Sequence, residues 1–337
     1  MRTAIVVHHG FDGDWPWAAD HFQRLFQKQG PVEFIRLSDG DKPLVTAVLP
    51  KPADVERLIC LGVRFEPDCL KALPKLKEVA LLIRKDDPLH TICAERGVRV
   101  ISHQSEGFWG QSVSEFGLAL TLAALRRIPQ THHSIITDLT EWNYAPANNL
   151  GRPGLRGHQF GDDPRFTNGT IEGKRIRIVG AGNIASRYAS FVSMLGADVA
   201  AWDPFASEPC FHRAGARREH FLERLVEDAE IFVPMVPLTP TTEGVVKAEH
   251  IAKLPKGCLV VMVTRAKICD TAALYARVLK DELALAADVF DIEPVPLGHA
   301  FLGRHNVVHT PHNAGRTQQA SERYAEMLFD QFQPPTR

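Results

Sequence analysis

Three side chains in the last quarter of the chain, Arg265, Glu293 and His312, carry the groups needed to hold an anion and move a proton. His312 sits in VVHTPHNAG (307–315), three residues after His309. Two histidines at that spacing read as metal ligands, as one acid–base group with a bystander, or as structural residues. An apolar strand over 306–310 would turn His309 away from a residue three along, and no third ligand stands at metal spacing. No metal site is therefore expected, and His312, following Pro311 at the strand end, is the candidate acid–base group. A carboxylate on the far ring nitrogen, from Asp288 at the end of the preceding strand or from Glu293 five residues later, would fix its tautomer. The guanidinium of Arg265 can hold a carboxylate and polarise a neighbouring keto oxygen. Such a set suits hydride transfer to a 2-keto acid. Taken singly, each residue has an ordinary reading, as a surface ion-pair partner, a turn charge before Pro294, or a satisfied strand-end residue.

These residues need a scaffold that brings successive strand ends together. Residues 1–102 alternate apolar runs, TAIVV (3–7), VEFIRL (32–37), RLICLGV (57–63), EVALLI (78–83) and VRVIS (98–102), with helix-like stretches such as 16–29, which carries Phe22, Leu25 and Phe26 before Gly30. That alternation predicts a parallel α/β layer. QSVSEFGLALTLAALRRI (111–128) opens on Ser112-x-x-Glu115, which fits a capping box, and reads as a buried connecting helix. Residues 143–170, rich in Gly, Pro and Asn, predict a long loop, either a surface or subunit-contact excursion or a lid. Six strand candidates follow: RIRIV (175–179), DVAAW (198–202), EIFVPMV (230–236), CLVVMV (258–263), ALAADVF (284–290) and NVVHT (306–310). They suffice for a complete dinucleotide-binding sheet, whose ligands lie beyond the carboxyl ends of the strands.

The first of those six strands runs into GAGNIA, with Gly180, Gly182, Asn183 and Ile184 at a strand-to-helix junction. A glycine string alone is weak; at this junction its glycines allow a tight turn and close approach to a pyrophosphate, and the helix N-terminus offers free amides. Asp203 ends the next strand, 203 − 180 = 23 residues on, where an acidic side chain meets ribose hydroxyls and repels a 2′-phosphate, which favours NAD over NADP.

Composition limits the other classes. The 39 Lys and Arg against 40 Asp and Glu give no electrostatic case for nucleic acid or an anionic membrane, and a small ligand is the better default. Six cysteines without a C-x-x-C pair read as reduced thiols of a cytoplasmic protein, and no segment has the length or flanks of a membrane span or signal peptide. His8-His9 and His132-His133 read as loop or cleft positions without catalytic duty.

The chain resembles the D-isomer-specific 2-hydroxyacid dehydrogenases. The resemblance rests on VGAGNIA (179–185), WDP (202–204), VPLTPTTEGVV (236–246), VTRAKICDTAAL (263–274), DVFDIEPVP (288–296) and TPHNAG (310–315), in the family's order. It implies a Rossmann domain (105–310) inserted into a smaller flavodoxin-like substrate domain (1–104, completed by 311–337), and a homodimer. It also implies Arg265, Glu293 and His312 as catalytic residues and NAD as cofactor. Cofactor contacts are then expected at Gly180, Gly182, Asn183, Ile184, Asp203, Pro237, Thr264 and Asp288, the last near the nicotinamide amide. The retained Glu293 separates the chain from formate dehydrogenases, which resemble it but pair their His with Gln. Three positions depart from the family pattern. Met262 replaces an Asn, Ala266 replaces a Gly, and LIRKD (82–86) stands where a Gly-rich substrate loop is usual. Arg84 or Lys85 there either binds an extra anionic group on the substrate or belongs to a solvated charged loop. The departures also keep open a rival, an NAD-binding regulatory protein like the corepressors that share this fold.

Overall fold

The computed structural model describes residues 1–38, 40, 42–84, 86–138, 140–142 and 161–332. Two compact units emerge, Met1–Phe108 with Arg316–Arg337, and Trp109–Gly315. Both crossings lie later than the expected 104/105 and 310/311. The turn bearing His312 thus belongs to the larger unit and not to the C-terminal segment.

The smaller unit is a five-stranded parallel sheet, order β2-β1-β3-β4-β5, with β1 Thr3–Val7, β2 Val32–Arg36, β3 Arg57–Leu61, β4 Glu78–Ala80 and β5 Arg99–Ile101. Strands β1 and β3 are buried throughout, as parallel strands covered on both faces must be. Helix Ala18–Gln27 closes one face through Phe22 and Phe26, and the Phe26 ring meets Phe329 and Phe332 of the C-terminal segment edge-on at 4.8 and 5.1 Å. Strand order reverses between β1 and β3, as in flavodoxin-like sheets.

The larger unit holds a seven-stranded sheet, order β12-β11-β10-β9-β6-β7-β8, in which every neighbouring pair is parallel. Its strands are β6 Arg175–Val179, β7 Asp198–Trp202, β8 Arg217–Arg218, β9 Ile231–Pro234, β10 Leu259–Met262, β11 Ala284–Ala287 and β12 Val307–His309. Six follow apolar runs visible in the sequence. The seventh, β8, is an edge strand of two arginines, with Arg218 lying over the Phe211 ring, and it carries no apolar signal. This is a doubly wound dinucleotide-binding sheet, with its switch point between β6 and β9.

Helix Gly110–Leu125 packs against helix Asn183–Met194, where Gly117 leaves room for Met235 and Tyr188, and the Thr121 and Tyr188 hydroxyls lie 2.9 Å apart. The expected capping box does not form. A 3₁₀ turn, Gly107–Trp109, feeds the helix three residues early, so Ser112 lies inside the first turn and its hydroxyl donates to the Ala314 carbonyl. Glu115 accepts instead from the Gln111 amide. His132 and His133, expected in a loop, stand on helix Ile128–Thr137 and are exposed. Of the expected 143–170 loop, residues 143–160 lie outside the described residues, and 161–170 contain no helix or strand. Among the described residues no helix is long and apolar enough to cross a membrane.

Candidate active site

The glycine loop sits at the switch point and needs its glycines for two separate reasons. Gly180 has φ +112°, and a Cβ there would lie 2.9 Å from the Met235 carbonyl oxygen at the end of β9. Gly182 caps helix Asn183–Met194, and a Cβ on it would meet nothing within 4 Å. The space over this twelve-residue helix's N-terminus is therefore open, with unpaired amides facing it, which suits a diphosphate. Ala185, at the third position of the motif, is wholly buried and permits close helix–strand packing. Asn183 is exposed and accepts from Arg187 at 3.3 Å, while Ile184 is half-buried.

Asp203 closes the loop from β7. Its Oδ2 accepts from the Ala181 amide at 2.8 Å, and its Oδ1 accepts from the Phe205 and Ala206 amides at 2.9 and 3.0 Å. The carboxylate is thereby fixed beside the phosphate-binding turn, with part of its surface open. Two other expected cofactor contacts flank the same edge. Pro237 is exposed, its carbonyl accepting from the Thr242 hydroxyl at 2.5 Å, and Thr264 is buried with its hydroxyl 3.4 Å from the Pro234 carbonyl. The residues present fit NAD: a glycine turn, an open helix N-terminus and a carboxylate at the second strand end.

Beyond β10, β11 and β12 stand Arg265, Asp288, Glu293 and His312. The His312 Nδ1 and Glu293 Oε2 are 2.7 Å apart, and the carboxylate, an acceptor only, assigns the proton to Nδ1. Glu293 is itself tied down, its Oε1 accepting from the Phe290 amide at 2.7 Å. With Nδ1 occupied, Nε2 of the part-exposed ring is the nitrogen left for a ligand. His309 ends β12 with an exposed side chain, and partial desolvation lowers its imidazole pKa from the ordinary value. Arg265 is exposed and donates from Nη1 to its neighbour's carbonyl, that of Thr264, at 2.7 Å. That self-bond leaves most of the guanidinium fork uncommitted. Asp288 departs from its expected place: it is fully buried, and both oxygens accept from the turn that carries His312.

In the smaller unit, Arg84 is 87% exposed and pairs with Asp86, two residues on, at 3.1 Å. The structure thus gives Arg84 the geometry of a solvated loop cation; Lys85 lies outside the described residues. Met262 and Ala266, the departures beside Arg265, are 1% and 4% exposed and belong to the core, so neither presents a side chain to the site.

Residues 118–314 match the NAD binding domain of the D-isomer specific 2-hydroxyacid dehydrogenases, well over half of the chain. The chain belongs to that family. Among its curated relatives, the D-3-phosphoglycerate dehydrogenase of Methanocaldococcus jannaschii is 26% identical over 289 residues, covering 85% of this chain and 50% of the relative. The glyoxylate reductase of Korarchaeum cryptofilum is 25% identical over 295 residues, covering 87% and 83%. The chain therefore spans about half the length of the phosphoglycerate dehydrogenases it matches. The NAD-complexed D-isomer specific 2-hydroxyacid dehydrogenase of Lactobacillus delbrueckii ssp. bulgaricus superposes with TM-score 0.69 at 19% identity, over 97% of this chain and 95% of that one. At that identity the likeness is one of fold. The family's NAD binding domain, with the glycine loop and Asp203 described above, makes NAD the cofactor.

Proposed function

We propose that the protein is an NAD-dependent D-2-hydroxyacid dehydrogenase that works as a 2-keto acid reductase. The observation that carries this reading is the 2.7 Å His312–Glu293 bond in a chain of this family, which leaves Nε2 to deliver a proton. NADH supplies the hydride when bound. Gly180, Gly182 and Asn183 would hold its diphosphate, with Asp203 on the adenosine ribose. Arg265 holds the substrate carboxylate and polarises the keto oxygen, drawing electron density from the carbon that is reduced. His312 donates from Nε2 to the oxygen as charge develops there, while Glu293 keeps the ring oriented and its charge compensated. In the oxidative direction the neutral ring takes the hydroxyl proton. The acceptor is a small 2-keto acid, and a homodimer is the expected assembly.

The test is NADH oxidation, followed at 340 nm, with glyoxylate, pyruvate and hydroxypyruvate. Turnover with at least one is expected. Binding of NADH without oxidation by any 2-keto acid would instead support a regulatory role. Of the three departures that suggested that second reading, Met262 and Ala266 are core positions and the 82–86 loop carries an exposed Arg84 paired with Asp86; none of these favours it.

A further inference from the structure

A cavity of about 330 Å³ lies within the larger unit, against Ala284 at the start of β11 and Asn306 just before β12. These are the amino ends of parallel strands, so the cavity stands at the opposite edge of the sheet from the glycine loop and His312. Leu125, Phe166 and Val308 give it an apolar floor. Its polar side is built on one turn, where Arg127 caps helix Ile128–Thr137 and Gln130 is the third helical residue. Arg127 Nε and Gln130 Oε1 are buried there with no hydrogen-bond partner among the described residues. Both side chains are otherwise fixed. Arg127 donates from Nη1 to the Gly161 carbonyl at 3.2 Å, and Gln130 donates from Nε2 to the Val307 and His305 carbonyls at 3.0 and 3.4 Å. Two carbonyl acceptors on Nε2 assign the amide's orientation, so the group left over is an acceptor. The neighbouring charges are engaged elsewhere: Asp163 is held by Arg165 at 2.7 Å, and His305 Nε2 lies 3.3 Å from Asp281. Arg127 also has φ +51°, a left-handed conformation that a Cβ disfavours, and strain of this kind gathers at ligand sites. An apolar recess with a few fixed polar groups is the usual make-up of a small-molecule site.

We infer that this cavity binds a small carboxylate that carries a hydrogen-bond donor on its neighbouring carbon, an α-amino acid or a 2-hydroxy acid. The carboxylate takes the Arg127 Nε–H, the ammonium or hydroxyl donates to Gln130 Oε1, and the side chain lies on the apolar floor. A simple carboxylate leaves the amide oxygen unmet, and an alcohol or amine leaves the guanidinium uncompensated. The site is separate from hydride transfer and does not depend on the role given to His312.

The test is calorimetric titration of the NADH-loaded protein with valine, 2-hydroxy-3-methylbutanoate and 3-methylbutanoate, which share a branched chain and differ only in the donor. At least one of the first two should bind about tenfold or more tightly than the third, the worth of one hydrogen bond to a buried group. Which of them binds more tightly distinguishes the amino acid from the hydroxy acid. A 2-hydroxy acid also fits the active site, so the titrations are repeated in Arg265→Met, where heat from the cavity survives. Arg127→Met abolishes that heat. Ala124→Leu, which fills the cavity from a half-buried position on helix Gly110–Leu125 without touching a polar group, weakens binding about tenfold or more. The NADH Kd stays near the wild-type value in both. No heat from either donor-bearing acid, equal binding of 3-methylbutanoate, or binding that Arg265→Met removes while Arg127→Met and Ala124→Leu leave it intact would each overturn the inference. Should Arg127→Met not fold, Ala124→Leu decides in the same way.

Discussion

At the carboxyl edge of the larger unit's sheet, charged groups are held across long stretches of sequence. Asp203 binds the Ala181 amide 22 residues away, Asp288 binds Thr310 at the same separation, and Glu293 binds His312 nineteen residues on. At the same edge of the smaller unit, Arg36 at the end of β2 reaches Asp12 24 residues away, but three other side chains bond within their own loops. His8 accepts from the Gly10 amide, Arg64 pairs with Glu66 and Arg84 with Asp86, each two residues on. Long-range bonds fix a side chain relative to the sheet, whereas a bond within one loop travels with that loop. Chemistry that needs atoms preplaced is better served by bonds of the first kind. Arg265 is the exception: among the described residues its guanidinium bonds the Thr264 carbonyl, one residue away.

That contrast can be broken at graded points. His312→Gln should lower kcat by about 10²–10⁴-fold, the usual worth of a positioned acid–base group, with little change in NADH affinity. Equal loss of NADH binding would mean the residue builds the cofactor site instead. Gly180→Ala imposes a Cβ at φ +112° against the Met235 carbonyl, and should cost about 1–3 kcal/mol in a denaturant titration as well as weakening NADH. A variant as stable as wild type would show that the loop adjusts.

The smaller unit supplies a pH test. The His103 ring lies 4.2 and 4.8 Å from the Tyr324 and Phe108 rings, its nitrogens buried without a hydrogen-bond partner, and burial lowers its pKa from 6.5 to about 4. The unfolded chain therefore takes up this proton first as the pH falls. The stability owed to neutral His103 is present above 6.5 and lost progressively toward 4. His103→Gln should flatten that part of the urea-midpoint profile, and parallel profiles for the two proteins would refute the assignment. The smallest effect is expected from Arg84→Ala. An exposed pair is worth at most about 1 kcal/mol, so kcat/KM for glyoxylate should change by less than about fivefold. A large loss confined to keto acids with a second carboxylate would restore Arg84 as a substrate ligand.

The strands were legible because parallel strands covered on both faces need continuous apolar runs, and the glycine loop because only glycine satisfies the geometry at Gly180. Strand β8 was not, since its two arginines pair at an edge where burial sets no pattern. Ser112-x-x-Glu115 misled because the 3₁₀ turn before it moved the helix start, a tertiary effect no local spacing reports. The types and order of Arg265, Glu293 and His312 could be read in sequence. The hold of Asp288 on the His312 turn could not, because it depends on how β11 and β12 are registered in the sheet.

The central claim is that this edge transfers hydride to the carbonyl carbon of a 2-keto acid. Incubation with NADH deuterated at the transferred position of C4 and a 2-keto acid, followed by mass spectrometry of the product, tests it most directly. A 2-hydroxy acid carrying one deuterium at C2 is the predicted result; NADH that binds but leaves every 2-keto acid unlabelled and unreduced would contradict it.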